Sequence, residues 1–210
     1  MAMNFPPRHI LWLTSLLPLT SRTASFDMGV HAVKLYRVAV SPDMLCANPT
    51  VLYRNDKPIY LDLISTKLPI VAEVEGTFRC LMLEISDRIR FAGTKASGGA
   101  CAKDAPQEAF ICSANREFET IDGALGRCSE GENRVTLFYS SASINARGRA
   151  DIFQAPLSRR EDKFGIRLEE PIVLKKGRSY LIKIDGAATL STNTAGACML
   201  STPPRVTLAE

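Results

Sequence analysis

The sequence predicts an all-β protein, an antiparallel β-sandwich of short strands with a cysteine-rich loop insertion. Three observations lead there. Short runs rich in β-branched and aromatic residues are separated by Gly, Pro, Asn and Asp at the roughly 8–12-residue spacing of sandwiches and barrels. No long amphipathic helical pattern interrupts them, which disfavours a parallel α/β sheet. Residues 75–91 (EGTFRCLMLEISDRIRF) form an almost unbroken apolar run. Leu81, Leu83 and Ile85 fall on one face of it, and Phe78, Cys80 and Met82 on the other. A strand with two apolar faces belongs at the centre of a sheet.

The chain has 210 residues, enough for one domain with decorations. Its 46% apolar and 23% charged content is that of a globular core. Residues 1–25 are set apart as a secretory signal peptide: Arg8 and His9 form a basic head, ILWLTSLLPL at 10–19 is the apolar run, and a small polar stretch follows. The domain is then 26–210. No later segment has the ~20 apolar residues a membrane helix needs, so no membrane span is expected. Taking Arg8 and Arg22 from the 26 basic residues leaves 24 against 22 acidic ones, a formal +2. The basic stretch 147–178 also carries Asp151, Glu161, Asp162, Glu169 and Glu170, which reads as a solvated mixed surface and not a nucleic-acid patch.

After the leader, residues 33–40 (VKLYRVAV) read as a strand ended by Ser41-Pro42-Asp43. Residues 50–54 (TVLYR) and 59–64 (IYLDLI) flank Asn55-Asp56-Lys57-Pro58 and predict a hairpin. Residues 70–74 lead into Gly76 and the central run, where Ser86-Asp87 is expected to turn the chain into a further short strand. Residues 93–132 lack clean alternation and hold three of the six cysteines, so they read as an insertion pinned by disulfides, with a short helical turn expected within 107–118. Strands return at 135–140 (VTLFYS), then at 151–154 after a turn at 145–148, and at 164–168, 171–174, 179–184 and 205–208. Lys176-Gly177 and Asp185-Gly186 are expected to close tight hairpins. Tyr180, Ile182 and Ile184 alternate inward, with Lys183 facing out.

The run Pro69-Ile70-Val71, Gly76-Thr77-Phe78, Leu81-Met82-Leu83-Glu84-Ile85-Ser86-Asp87 resembles bacterial exported β-sandwich domains of the transthyretin-like sort. Pro171-Ile172-Val173, Gly177 and Tyr180-Leu181-Ile182-Lys183-Ile184-Asp185 are similar to their late hairpin. The resemblance covers about half of the mature chain and implies a fold, with no functional residue carried over.

Cys46, Cys80, Cys101, Cys112, Cys128 and Cys198 all follow the leader, an even count that predicts up to three disulfides in an exported chain. Six cysteines allow 15 pairings, and their spacing selects none of them. No CxxC or Cys/His spacing suggests zinc, and no metal or cofactor is expected.

Catalytic signatures are scarce. His31 is the single histidine after the leader, expected on the surface beside a strand start, and no nucleophile elbow, HExxH or phosphate loop occurs. No catalytic residue is therefore assigned. Asp62, Glu73, Glu75 and Glu84 are carboxylates on or beside strands, the minimum a glycosidase would need. Glu84 stands out, because a charge in a central strand requires a partner, for which Arg79 and Arg90 are candidates. The only tryptophan, Trp12, lies in the leader, which leaves Phe110 and Phe118 as binding aromatics, while Phe78, Phe138, Tyr139 and Tyr180 are expected in the core.

These features point to an exported, non-enzymatic binding or structural protein, secreted, periplasmic or at the cell surface, meeting a protein partner through 93–132. Two alternatives are a filament subunit built by exchange of terminal strands (26–31 and 202–210) and a carboxylate-dependent hydrolase.

Overall fold

A computed structural model describes residues 25–94, 97, 99–112, 115–141, 166–201 and 204–210. The leader up to residue 24, the turn at 145–148, the strand at 151–154 and the first residues of 164–168 lie outside these. Among the described residues the chain is built from strands, with one 3-10 turn at Gly99–Cys101 and no α-helix.

The axis of the main sheet is a long strand, β2 (Met28–Ser41), preceded by β1 (Ser25–Phe26). It extends well beyond the predicted 33–40. Each edge of β2 is lined by a broken partner. On one edge, β3 (Thr50–Arg54) pairs with Arg37–Val40, and β4 (Tyr60–Asp62) pairs with Ala32–Lys34. The expected hairpin between these two strands does not form. Asn55–Pro58 instead carries the chain along β2, and Asn55 N donates to Tyr36 O at 2.7 Å.

On the other edge, β7 (Cys80–Ser86) and β8 (Arg88–Gly93) are both antiparallel to β2, in nearly continuous register. Ser86-Asp87 is thus an interruption in one long ribbon and does not reverse the chain. The central status of the run is upheld, since every residue of β7 is buried and its other neighbour is β12 (Arg134–Ser140). β9 (Gln107–Phe110) pairs with β8 as β12 pairs with β7. β9 and β12 therefore form one further ribbon, interrupted opposite Asp87. A short parallel strand, β13 (Ile166–Arg167), joins the far end of β12. On the β8–β2–β4 side the sheet curls into a half-barrel.

The helical turn expected within 107–118 is replaced by β9 and β10. What leaves the sheet is a shorter excursion between Ile111 and Asn133, containing the hairpin β10 (Glu117–Glu119) and β11 (Leu125–Arg127). At Gly126 a Cβ would stand 2.5 Å from the Phe118 ring, so any larger residue there must displace that ring.

The remaining strands form smaller sheets. β5 (Pro69–Val71), β15 (Ser179–Asp185) and β18 (Arg205–Ala209) make one, with β15 in the middle. β6 (Gly76–Phe78) pairs with β14 (Ile172–Leu174), and β16 (Leu190–Thr192) lies between β1 and β17 (Cys198–Leu200) and pairs with both. The turns at Lys176-Gly177 and Asp185-Gly186 exist but close no hairpins, because each sends the chain to a different sheet.

One large apolar core unites Leu81, Leu83 and Ile85 of β7 with Val33, Leu35, Phe91, Val135 and Tyr139, and with Ile70, Tyr180, Ile182 and Val206 of the β15 sheet. A second, small core lies on the other face of β7: Cys80 and Met82 pack with Ala39, Phe138, Cys46 and Ile121. Phe78 departs from its predicted face. The chain bends at Arg79, so Phe78 joins the large core while Cys80 faces the small one. Burying such a set of side chains stabilises each by roughly 1.5–3 kcal/mol.

All six cysteines are paired: Cys46–Cys80, Cys101–Cys198 and Cys112–Cys128. The first ties the turn after β2 to β7, and the second ties the 3-10 turn to β17. The third closes the excursion near its base.

Candidate functional site

The excursion between Ile111 and Asn133 is held to the sheet at several points. At its base lies Asp87, 2% exposed, at the break between β7 and β8. Its carbonyl accepts from Ile111 N at 2.8 Å, and its amide donates to Asn133 O at 2.9 Å. Its carboxylate accepts from Asn133 N and Asn133 Nδ2, both at 2.9 Å. One residue in β7/β8 thus secures both ends of the excursion. Asn133 Oδ1 in turn accepts from the Ser129 amide and hydroxyl at 3.0 Å, and Cys112–Cys128 adds a covalent closure.

Near its tip the excursion folds back on the outer face of the sheet. Ile121 is fully buried against the Cys46–Cys80 disulfide, Met82 and Phe138. The neighbouring Asp122 accepts from Arg37 Nη1 at 2.9 Å. Arg37 Nε donates to Glu84 Oε2, which answers the question raised by a charge in the central strand. The partner is neither Arg79 nor Arg90, because Arg37 stands directly opposite Glu84 across the β2–β7 ladder. Burial opposes the Arg37 charge, but the hydrogen bonds to Glu84 and Asp122 outweigh it, and its pKa is raised. The β10–β11 hairpin therefore closes over an ion pair that the sheet already contains. What it leaves exposed is Leu125, 77% accessible, flanked by the exposed pair Arg127–Glu117 at 3.1 Å.

The outward face beside the excursion alternates cations, rings and acids. Arg90 lies 3.9 Å from the Tyr60 ring centroid and 3.3 Å from Glu108 Oε1. Lys34 lies 5.3 Å from the same centroid and 2.7 Å from Glu132 Oε2. The hydrogen bond between them raises the Lys34 pKa and lowers that of Glu132. Arg134 stacks on Tyr36 at 3.8 Å, with Asp56 at 3.9 Å. Sequence reasoning missed this strip. Its signal was the outward period of two in Lys34 and Tyr36, but partners on five separate segments come together only through the sheet.

The two binding aromatics separate. Phe110 is 57% exposed on β9, with the Arg88 guanidinium 5.6 Å from its centroid. Phe118 is half-buried against the large core and Gly126, so it offers no open ring. Phe78, Phe138, Tyr139 and Tyr180 are buried as expected, and burial raises the Tyr139 pKa.

His31 lies inside the fold, contrary to its expected place on the surface. It sits in β2 opposite Phe91, and its Nδ1 has no hydrogen-bond partner. Desolvation lowers its pKa to about 4 against the opposing charge of Asp62, so the imidazole is neutral at pH 7. Asp62 is itself engaged. It accepts from His31 N at 3.0 Å, Ile64 N at 3.1 Å and Ser65 Oγ at 2.6 Å, and these bonds overcome burial to lower its pKa. Glu73 and Glu75 lie on the exposed connection between β5 and β6. Among the described residues, no three of His, Cys, Asp and Glu are grouped to hold a metal, and no helix is long and apolar enough to cross a membrane.

The segments considered for strand exchange are used within the chain, residues 28–31 against β8 and 205–209 against β15. Fold and site together define a disulfide-bonded all-β protein that displays a clamped hairpin. Comparison with known protein families, curated proteins and solved structures gives no match.

Proposed function

We propose that this chain is an exported, non-enzymatic binding or structural module of a cell envelope or extracellular surface, and that it meets a protein partner through the 93–132 segment. The carrying observation is the excursion. It is fixed at its base by Asp87–Asn133 and Cys112–Cys128 and near its tip by Ile121 and Asp122, yet it presents Leu125 to solvent. A loop that is ordered before contact loses less entropy on binding. Three disulfides with no free cysteine fit an oxidising compartment, in line with the leader read at 1–25. For the architecture we favour a two-layer sandwich of the transthyretin-like kind. Its support is the shared core between the main sheet and the β5–β15–β18 sheet.

The test is replacement of residues 117–127 by a Gly-Ser linker of equal length, with capture of partners from the native envelope fraction as readout. Capture should be lost while near-ultraviolet dichroism and the disulfides persist. The surface variant Leu125→Asp, which removes no core contact, should reproduce the loss. Undiminished capture by both variants would overturn the assignment.

A further inference from the structure

We infer that Arg88 and Phe110 form a carboxylate-recognition site on the outer face of the sheet. Arg88 and Arg90 are the outward positions of β8, while Ile89 and Phe91 between and beyond them are buried. Arg90 is already matched by Glu108 and Tyr60. Arg88 has no carboxylate within salt-bridge distance among the described residues. Its Nε is shielded from solvent and has no hydrogen-bond acceptor. That Nε is out of reach of solvent and so of any external ligand, which would meet the terminal Nη1 and Nη2 of the guanidinium. The charge of Arg88 is left for something outside the chain.

Phe110 supplies the second half of the site. It is the cross-strand partner of Arg88, and its exposed ring lies beside the guanidinium. A planar fork of N–H donors next to an open ring suits a carboxylate borne on a flat or apolar group. The surroundings set the charge of the ligand. Arg90 is paired with Glu108 and Lys34 with Glu132, so of these three cations Arg88 is the one without a carboxylate partner among the described residues. Glu108, the next outward residue of β9, repels a second negative charge, which favours a carboxylate over a phosphate dianion. The carboxylate can come from a small aromatic acid or from a polypeptide.

The test uses the mature, disulfide-intact protein and follows the arginine Nε–Hε resonances by nuclear magnetic resonance. The probes are sodium benzoate, a short peptide ending in a free C-terminal phenylalanine, and the same peptide amidated. Benzoate or the free-acid peptide should shift the Arg88 resonance saturably, and whichever binds more tightly identifies the source. Arg88→Gln should weaken binding at least tenfold, and Phe110→Ala several-fold. Arg54→Gln and Leu125→Asp should leave it unchanged, which separates this site from the excursion tip. Near-ultraviolet dichroism checks that each variant is folded. Equal binding by Arg88→Gln, equal binding of the amidated peptide with no response to benzoate, reproduction of the shift by sodium chloride at the same ionic strength, or tighter binding of inorganic phosphate would each overturn the proposal.

Discussion

Asp87 and Asn133, 46 residues apart in sequence, meet through a pair of 2.9 Å hydrogen bonds to one buried carboxylate. A central ribbon is interrupted at that point, and the neighbouring ribbon leaves the sheet and returns. Removing the Asn133 side chain takes one of two strong donors from a buried charge. Asn133→Ala should lower stability by about 2–4 kcal/mol in urea unfolding, since the orphaned carboxylate bears a desolvation cost. Asp87→Asn should cost a comparable amount, because both carboxylate oxygens accept from Asn133 and the new amide NH2 would face one of those donors.

Ile121 tethers the excursion through the small core. Ile121→Ala should destabilise by roughly 2–4 kcal/mol, as buried aliphatic truncations do. Hydrogen exchange should show the loss concentrated in residues 115–128, with β7 and β12 protected as before.

The Arg37–Glu84 pair is a test of charge in a central strand. Glu84→Ala alone should cost about 3–5 kcal/mol, because Arg37 is left half-buried with only Asp122. The double variant Arg37→Met, Glu84→Leu should recover much of this in equilibrium unfolding, since hydrophobic replacements of a buried pair are often neutral.

His31 gives the stability a defined acid limb. Its folded pKa of about 4 lies below the ordinary histidine value of 6.5, so the unfolded chain binds the proton more readily. Stability from this group is complete above pH 6.5 and is lost as pH falls toward 4, a difference on the order of 3 kcal/mol. His31→Gln should flatten the pH dependence of unfolding in that window. The lowered pKa of Asp62 acts below the ordinary aspartate value of 3.8, outside the window.

The disulfides should rank by loop length. Cys101–Cys198 spans 97 residues and Cys112–Cys128 spans 16. Replacing the first pair by alanine should cost about 4–5 kcal/mol, and the second about 3 kcal/mol, in denaturant unfolding under the chain-entropy account.

Much of the element content was legible, because alternation reports which faces are buried. The central run, the inward Tyr180 and Ile182, and the buried Phe138 and Tyr139 all follow from apolar period. The sequence by itself determined that the chain is rich in β-strands, where the strongly apolar ones lie and that its cysteines are even in number, while β9, β10, β11, β16 and β17 carry too little alternation to be read from it. Only the tertiary structure decided which strands are neighbours. Asn55–Pro58, Lys176-Gly177 and Asp185-Gly186 carry turn chemistry, but a turn signal is local and does not say which sheet the chain enters next. Pairing is set by non-local burial. Ile121 reaches the small core, Arg37 stands opposite Glu84, and His31 is buried, because β2 runs long enough to be flanked on both edges. No spacing in the sequence encodes a contact of that range.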